Sequence, residues 1–169
     1  SYKVKKYNKK QTLIIDPELI FSTYSGSLAD NWGFTATYDT DTNAYSGGIV
    51  DGSGYRITEG AFQINFNGPD ASDHHGWDIG IMKYTKDGKR IYGTYIGGNE
   101  TELPHSMVVN SKNELIIFGT TGSDNFPMHS GSYDNSFNGG YNTEIIYDGT
   151  YTSIGFENGS DIFVLKLSE

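Results

Sequence analysis

The sequence repeats itself. A shift of 71 residues carries Leu19-Ile20-Phe21-Ser22-Thr23-Tyr24-Ser25-Gly26 onto Arg90-Ile91-Tyr92-Gly93-Thr94-Tyr95-Ile96-Gly97 without a gap. The same shift sets Gly48 on Gly119, Tyr55 on Phe126, Gly60-Ala61-Phe62 on Gly131-Ser132-Tyr133, and Phe66-Asn67-Gly68 on Phe137-Asn138-Gly139. The register then slips, and Gly76-Trp77-Asp78-Ile79 matches Gly159-Ser160-Asp161-Ile162, with Lys83 on Lys166, at an offset of 83. The second copy therefore holds an insertion near 140–158. Its Asp148-Gly149, set between β-forming residues, marks a hairpin. A chain made of two copies of one short pattern folds as two copies of one small unit, and such units bury their faces against each other.

The units read as strands. No stretch sustains a helical period. Expected strands fall near 19–25, 33–39, 43–50 and 77–85, and again near 90–96, 104–110, 114–121 and 160–167. Asp39-Thr40-Asp41-Thr42-Asn43 and Asn110-Ser111-Lys112-Asn113 have the turn chemistry to close hairpins. The composition agrees: 22 of 169 residues are Gly, and aromatics reach 14%. Aromatic residues suit a pleated, half-buried surface. The N-terminal lysines, Lys3, Lys5, Lys6, Lys9 and Lys10, interleave with Tyr2, Val4 and Tyr7 as on an exposed strand. The expected organisation is a lead-in over 1–18, one unit over 19–89, and a second over 90–169 with the inserted hairpin.

Four short antiparallel strands per unit describe a blade of a β-propeller. The expected fold class is thus all-β, with propeller-type blades. Two blades cannot close a ring of the usual four to eight. This points to a fragment of a larger propeller, or to a partner that covers the ends.

The same residues resemble the bacterial SBBP repeat, a β-propeller repeat. Its copies carry a "ysTYlGG" strand, seen here as Phe21 to Gly26 and Tyr92 to Gly98. Its hairpin appears as Asp39 to Gly48, with Asn43, Tyr45 and Gly48 in place but Thr42 where the family has Gly. The "FP…GAfd" segment matches Phe126-Pro127 to Tyr133, and the closing "G-x-D-x-F-x-x-K" strand matches Gly159 to Lys166. The second hairpin departs from the pattern, reading Asn113-Glu114-Leu115-Ile116. Leu13-Ile14-Ile15-Asp16-Pro17 is similar to the junction before the first such repeat in large surface proteins of Bacteroidota. The resemblance covers residues 13–169. It implies a secreted or cell-surface protein, exported by the type IX pathway and tied to adhesion or gliding. Fold does not dictate function, because propellers host many activities.

Charge and composition exclude some partners. With 12 Lys and Arg against 21 Asp and Glu, the net charge is −9, the wrong sign for a nucleic-acid backbone. No apolar run is long enough to span a bilayer. The absence of Cys excludes disulfides and thiolate metal cages. Asp39, Asp41 and Asn43 have the oxygen spacing of a calcium loop, the one cofactor candidate. They lack the following Gly and the terminal bidentate Glu, and an Asx-stabilised hairpin turn explains them as well. Asp73-His74-His75 could offer metal ligands, although a solvated loop accounts for it, and His105 and His129 read the same way. Glu100 and Glu102 could pair as glycosidase carboxyls, but they read as a polar loop after Gly97-Gly98. Trp32 and Trp77, with Tyr55 and Tyr141, could stack on sugar, or fill the space between blades.

The expected function is non-catalytic. Rigid blades would present loops near 51–59, 68–76, 98–103 and 140–158 to a protein or glycan at the cell surface, with export machinery as a further partner. The alternatives are a carbohydrate-active enzyme using acidic loop residues, and a structural spacer or passenger on an export machine.

Overall fold

The computed structural model describes residues 7–8, 10–13, 17–69, 76–147 and 152–168. These residues are all-β, with no helix among them, and the sheets are antiparallel and open. The first sheet is a meander of β1 (Asp30–Tyr38), β2 (Ala44–Asp51), β3 (Asp78–Tyr84) and β4 (Arg90–Ile96). The second joins β5 (Glu102–Val109), β6 (Leu115–Thr121) and β9 (Asp161–Leu167). Between β6 and β9 the chain makes a separate hairpin, β7 (Thr143–Tyr147) with β8 (Thr152–Phe156). The expected insertion is thus a pair of strands, while its Asp148-Gly149 turn lies outside the described residues.

The sequence repeat is a repeat of hydrogen bonding. In the first sheet Asn31 pairs with Val50, Gly33 with Gly48 and Tyr38 with Ala44, and the register shifts between Gly33 and Thr35. In the second, Glu102 pairs with Thr121, Pro104 with Gly119 and Val109 with Leu115, with a shift between Pro104 and Ser106. Each residue is displaced by 71, bulge included. The next ladder repeats too. Ala44 opposite Tyr84 and Val50 opposite Asp78 become Leu115 opposite Leu167 and Thr121 opposite Asp161. A bulge is a specific local geometry rather than noise, so its recurrence at one position marks one structural plan used twice.

The turns repeat as well. The Asp39 carboxylate accepts the backbone N–H groups of Asp41 and Asn43. The Asn110 side-chain oxygen accepts those of Lys112 and Glu114. Both turns need one residue in the left-handed region: Thr42 at φ 65° and Asn113 at φ 61°. Asn visits that region at modest cost, whereas a β-branched Thr is strained there.

The two sheets pack face to face. Tyr45, Ile79, Ile81 and Ile96 of the first meet Met107, Leu115, Ile117, Phe126 and Phe163 in one buried cluster. Gly47 lets Met107 come close, because a Cβ there would collide with its sulfur. Burying each such aliphatic side chain is worth roughly 1.5–3 kcal/mol. The outer part of the first sheet's other face is covered by its own chain: Val50, Met82, Tyr84 and Tyr95 lie under Tyr55, with Phe21, Ile57 and Phe66 packed against them.

Two expectations are corrected. Residues 19–25 are not a strand, although their counterpart β4 is. β4 lies beside an open edge of β3. Residues 19–28 are instead tied to the 52–56 loop, where Arg56 Nε donates to the Gly26 carbonyl and Leu28 N–H to Gly54. Consequently the second sheet has three strands among the described residues rather than four, and the first sheet runs through Ile96. The expected N-terminal strand falls largely outside the described residues. Where the chain is described there, Gln11 N–H closes a turn on Asn8.

Candidate functional site

The loop from β4 to β5, Gly97 to Thr101, crosses from one sheet to the next and brings two carboxyls together. Asp78 begins β3 and Glu102 begins β5, and both are fully buried. A Cβ on Gly97 would collide with Asp78 Oδ1 and Glu102 Oε2 alike, so only glycine fits between them. Glu102 Oε1 accepts the Thr121 and Ser123 hydroxyls, each at 2.6 Å, and Oε2 accepts Gly98 N–H at 2.8 Å. Asp78 Oδ2 accepts Gln63 Nε2 at 2.8 Å and Asn67 N–H at 3.0 Å. Asp78 Oδ1 is buried without a hydrogen-bond partner among the described residues.

Burial governs this pair. It pushes the Asp78 carboxyl up to about 7, against the opposing bonds from Asn67, Gly68 and Gln63. Burial likewise pushes Glu102 up to about 8, with the Asp78 charge adding to it and the bonds from Ser123, Thr121 and Gly98 opposing. Both carboxyls therefore hold their protons to a higher pH than a solvated carboxyl does. The expectation of a polar loop at Glu102 is corrected: it is a strand residue in the sheet junction. Asn31, its repeat counterpart, is exposed at the free side of the first sheet, so the repeat alone gave no sign of burial.

Half of the carboxyl arrangement recurs. Asn67 N–H to Asp78 Oδ2 becomes Asn138 N–H to Asp161 Oδ2 at 2.8 Å. In each copy an Asp at the head of the third strand clamps the Phe-Asn-Gly loop. That role explains the Asp without a ligand.

The calcium candidate has a comparable account. Asp39 is buried, and its oxygens accept Asp41 N–H, Asn43 N–H and Nδ2, and the Tyr45 hydroxyl, with Lys83 Nζ at 3.2 Å. Burial works to raise its pKa, but the Asn43 bonds and the Lys83 charge outweigh it and hold the carboxyl at about 2. Asp41 reaches across to Asn113 Nδ2 at 3.4 Å. Turn, ion pair and strand are thereby locked together by the protein's own donors. The second copy keeps the cation and moves the acid: Lys166 meets Glu114, four residues beyond Asn110, at 3.1 Å in the open.

Trp32 lies near both Trp77 and Tyr55, while Tyr141 stands apart from all three. Trp77 and Tyr55 are buried in different clusters. Trp32 is half-exposed, with its ring 5.3 Å from that of Trp77. It lines an open groove of about 440 Å³ beside Ser25, Asn31, Ala36, Val50 and Tyr55. Tyr141 is fully exposed just before β7 and does not line that groove. His105 is exposed, with Nε2 2.8 Å from the Thr120 hydroxyl, and His129 Nδ1 accepts Gly131 N–H. Asp73-His74-His75 lies outside the described residues.

The inserted hairpin is the element without a counterpart in the first copy. β8 buries Ile154 and Phe156 against Ile49, Trp77 and Leu103, across the junction of the two sheets. β7 turns Ile145 and Ile146 to solvent, next to exposed Tyr141. One strand anchors and the other displays. No family model and no curated protein matches this chain.

Proposed function

We propose that this chain is a non-catalytic β-propeller segment of a secreted or cell-surface protein, a rigid scaffold that presents surface to a protein or glycan. Its place among SBBP-type repeats and type IX cargo rests on the sequence resemblance. The observation that carries the scaffold reading is the recurrence of register and bulge in two sheets packed face to face, the arrangement expected of neighbouring blades. The raised-pKa carboxyls support a non-catalytic role, because they sit inside the junction, bonded to the loop they position. The displayed strand of the β7–β8 hairpin is the contact surface this reading favours, since Ile146 on it and Tyr141 just before it are each exposed, while β8 is docked.

The test is ligand capture on glycan and surface-protein arrays, comparing the chain with Tyr141→Ala and Ile146→Ala. Both side chains are exposed, so the variants keep the parent's melting temperature. The scaffold reading expects capture that both variants lose. Capture unaffected by either variant, or glycoside hydrolysis by the parent chain, contradicts it.

A further inference from the structure

The second sheet leaves uncovered what the first sheet has covered. Ile79 and Ile81 on β3 are 0% exposed, while their counterparts on β9, Ile162 and Val164, are 69% and 67% exposed. Phe118 and Val108 extend this apolar face. The far edge of β9 also pairs with no strand among the described residues, whereas β3 is closed by β4.

A cleft of about 110 Å³ lies beside that edge. Its counterpart in the first sheet is filled by Tyr95. The Tyr95 ring packs on Tyr55 and Phe66, and its hydroxyl accepts Tyr55 N–H at 2.8 Å and donates to the Gly52 carbonyl at 3.3 Å. The repeat turns Tyr55, Phe66 and Gly52 into Phe126, Phe137 and Ser123, and all three line the cleft. It turns Tyr95 into Tyr24. Tyr95 is 2% exposed and Tyr24 is 96% exposed.

We propose that the β9 edge and apolar face bind a second copy of this chain, head to tail, with residues 19–25 of that copy as the fourth strand. The register follows from β3 and β4: Ser25 opposite Ile162, Tyr24 opposite Phe163, Thr23 opposite Val164 and Phe21 opposite Lys166. Tyr24 enters the cleft. The incoming segment is already posed for this. Leu28 N–H bonds to the Gly54 carbonyl, and one repeat on, in the β4–β5 connection, Asn99 N–H bonds to the side-chain oxygen of Asn125. The faces are complementary in size. Where Gly47 admits Met107 inside the chain, Phe118 meets the small Ala36 of the incoming copy. The same contact covers Trp32, the counterpart of buried Leu103, and Tyr38, both exposed in the single chain. A heterologous contact of this kind closes into a ring where the rotation allows and otherwise grows as a filament. With two sheets per copy, roughly two to four copies complete a ring of usual size. Self-association rests on the blade reading of the repeat that also carries the proposed function, but it is read by mass and not by ligand capture, so the two can fail separately.

Sedimentation of the whole chain, from micromolar to sub-millimolar concentration in physiological salt, reads the association directly. The expected result is mass that rises with concentration. Tyr24→Ser removes the donor and Val164→Lys the acceptor. Both positions are exposed in the single chain, and circular dichroism checks that both variants fold. Each variant alone associates roughly tenfold or more weakly. Mixed, they form a capped one-to-one dimer, because the Val164→Lys copy still donates and the Tyr24→Ser copy still accepts. A parent chain that stays monomeric throughout overturns the proposal. So does association that both variants retain, or a mixture that does not pair.

Discussion

Single residues set the pH response. Asp78 and Glu102 have raised pKa values, so the folded chain holds their protons more tightly than the unfolded chain does. Their stabilising contribution is complete below about pH 4, declines as the unfolded chain ionises first, and is gone above about pH 8. Asp39 has the opposite sign: its contribution is complete above about pH 4 and is lost toward its folded value of about 2. Unfolding free energies from urea titrations across pH should therefore peak near pH 4–5 and fall by roughly a few kcal/mol toward pH 8. Glu102→Gln should flatten the upper limb, and an unchanged limb would remove this pair as its source. Thr42 gives a second residue-scale prediction. Its left-handed backbone is strained, so Thr42→Gly should raise stability by about 0.5–1 kcal/mol, the relief of strain exceeding the added freedom of the unfolded chain. A lower urea midpoint would contradict that. Ion-pair burial gives a third. Asp39→Ala leaves buried Lys83 without its acid and should cost about 3–5 kcal/mol. Glu114→Ala, at the exposed counterpart, should cost under about 1 kcal/mol. Similar losses in the two variants would show that burial is not what separates them.

At the scale of elements, the hairpin β7–β8 is held by its inner strand. Phe156→Ala should cost about 3–5 kcal/mol by opening a cavity beside Trp77. It should also shift tryptophan emission to the red. Ile146→Ala on the outer strand should stay within about 0.5 kcal/mol, and equal effects would mean the hairpin is not docked as described. The strands were largely legible in the sequence because repeated glycines and aromatics marked them twice. Glu102 was not legible: among Asn99, Glu100 and Thr101 it reads as loop, and the hydroxyls of Thr121 and Ser123 that make its burial tolerable lie 19 and 21 residues further along the chain. Residues 19–25 carry a strand sequence without an edge to join, since pairing depends on a neighbour as much as on local preference. Trp32 and Trp77 looked alike in the sequence, and only packing separates the half-exposed ring from the buried one.

For the whole molecule, stability comes from stacking one sheet plan on another. The shared core of Tyr45, Ile79, Ile81, Met107, Ile117 and Phe163 belongs to both sheets, so neither is expected to persist alone. Solution NMR contacts across the strands test this plan most directly. The account predicts Ile81 opposite Gly47 and, at the repeat offsets, Val164 opposite Phe118, with matching bulges after Gly33 and Pro104. A β9 that meets β6 in another register, or that does not pair with β6 at all, would contradict it.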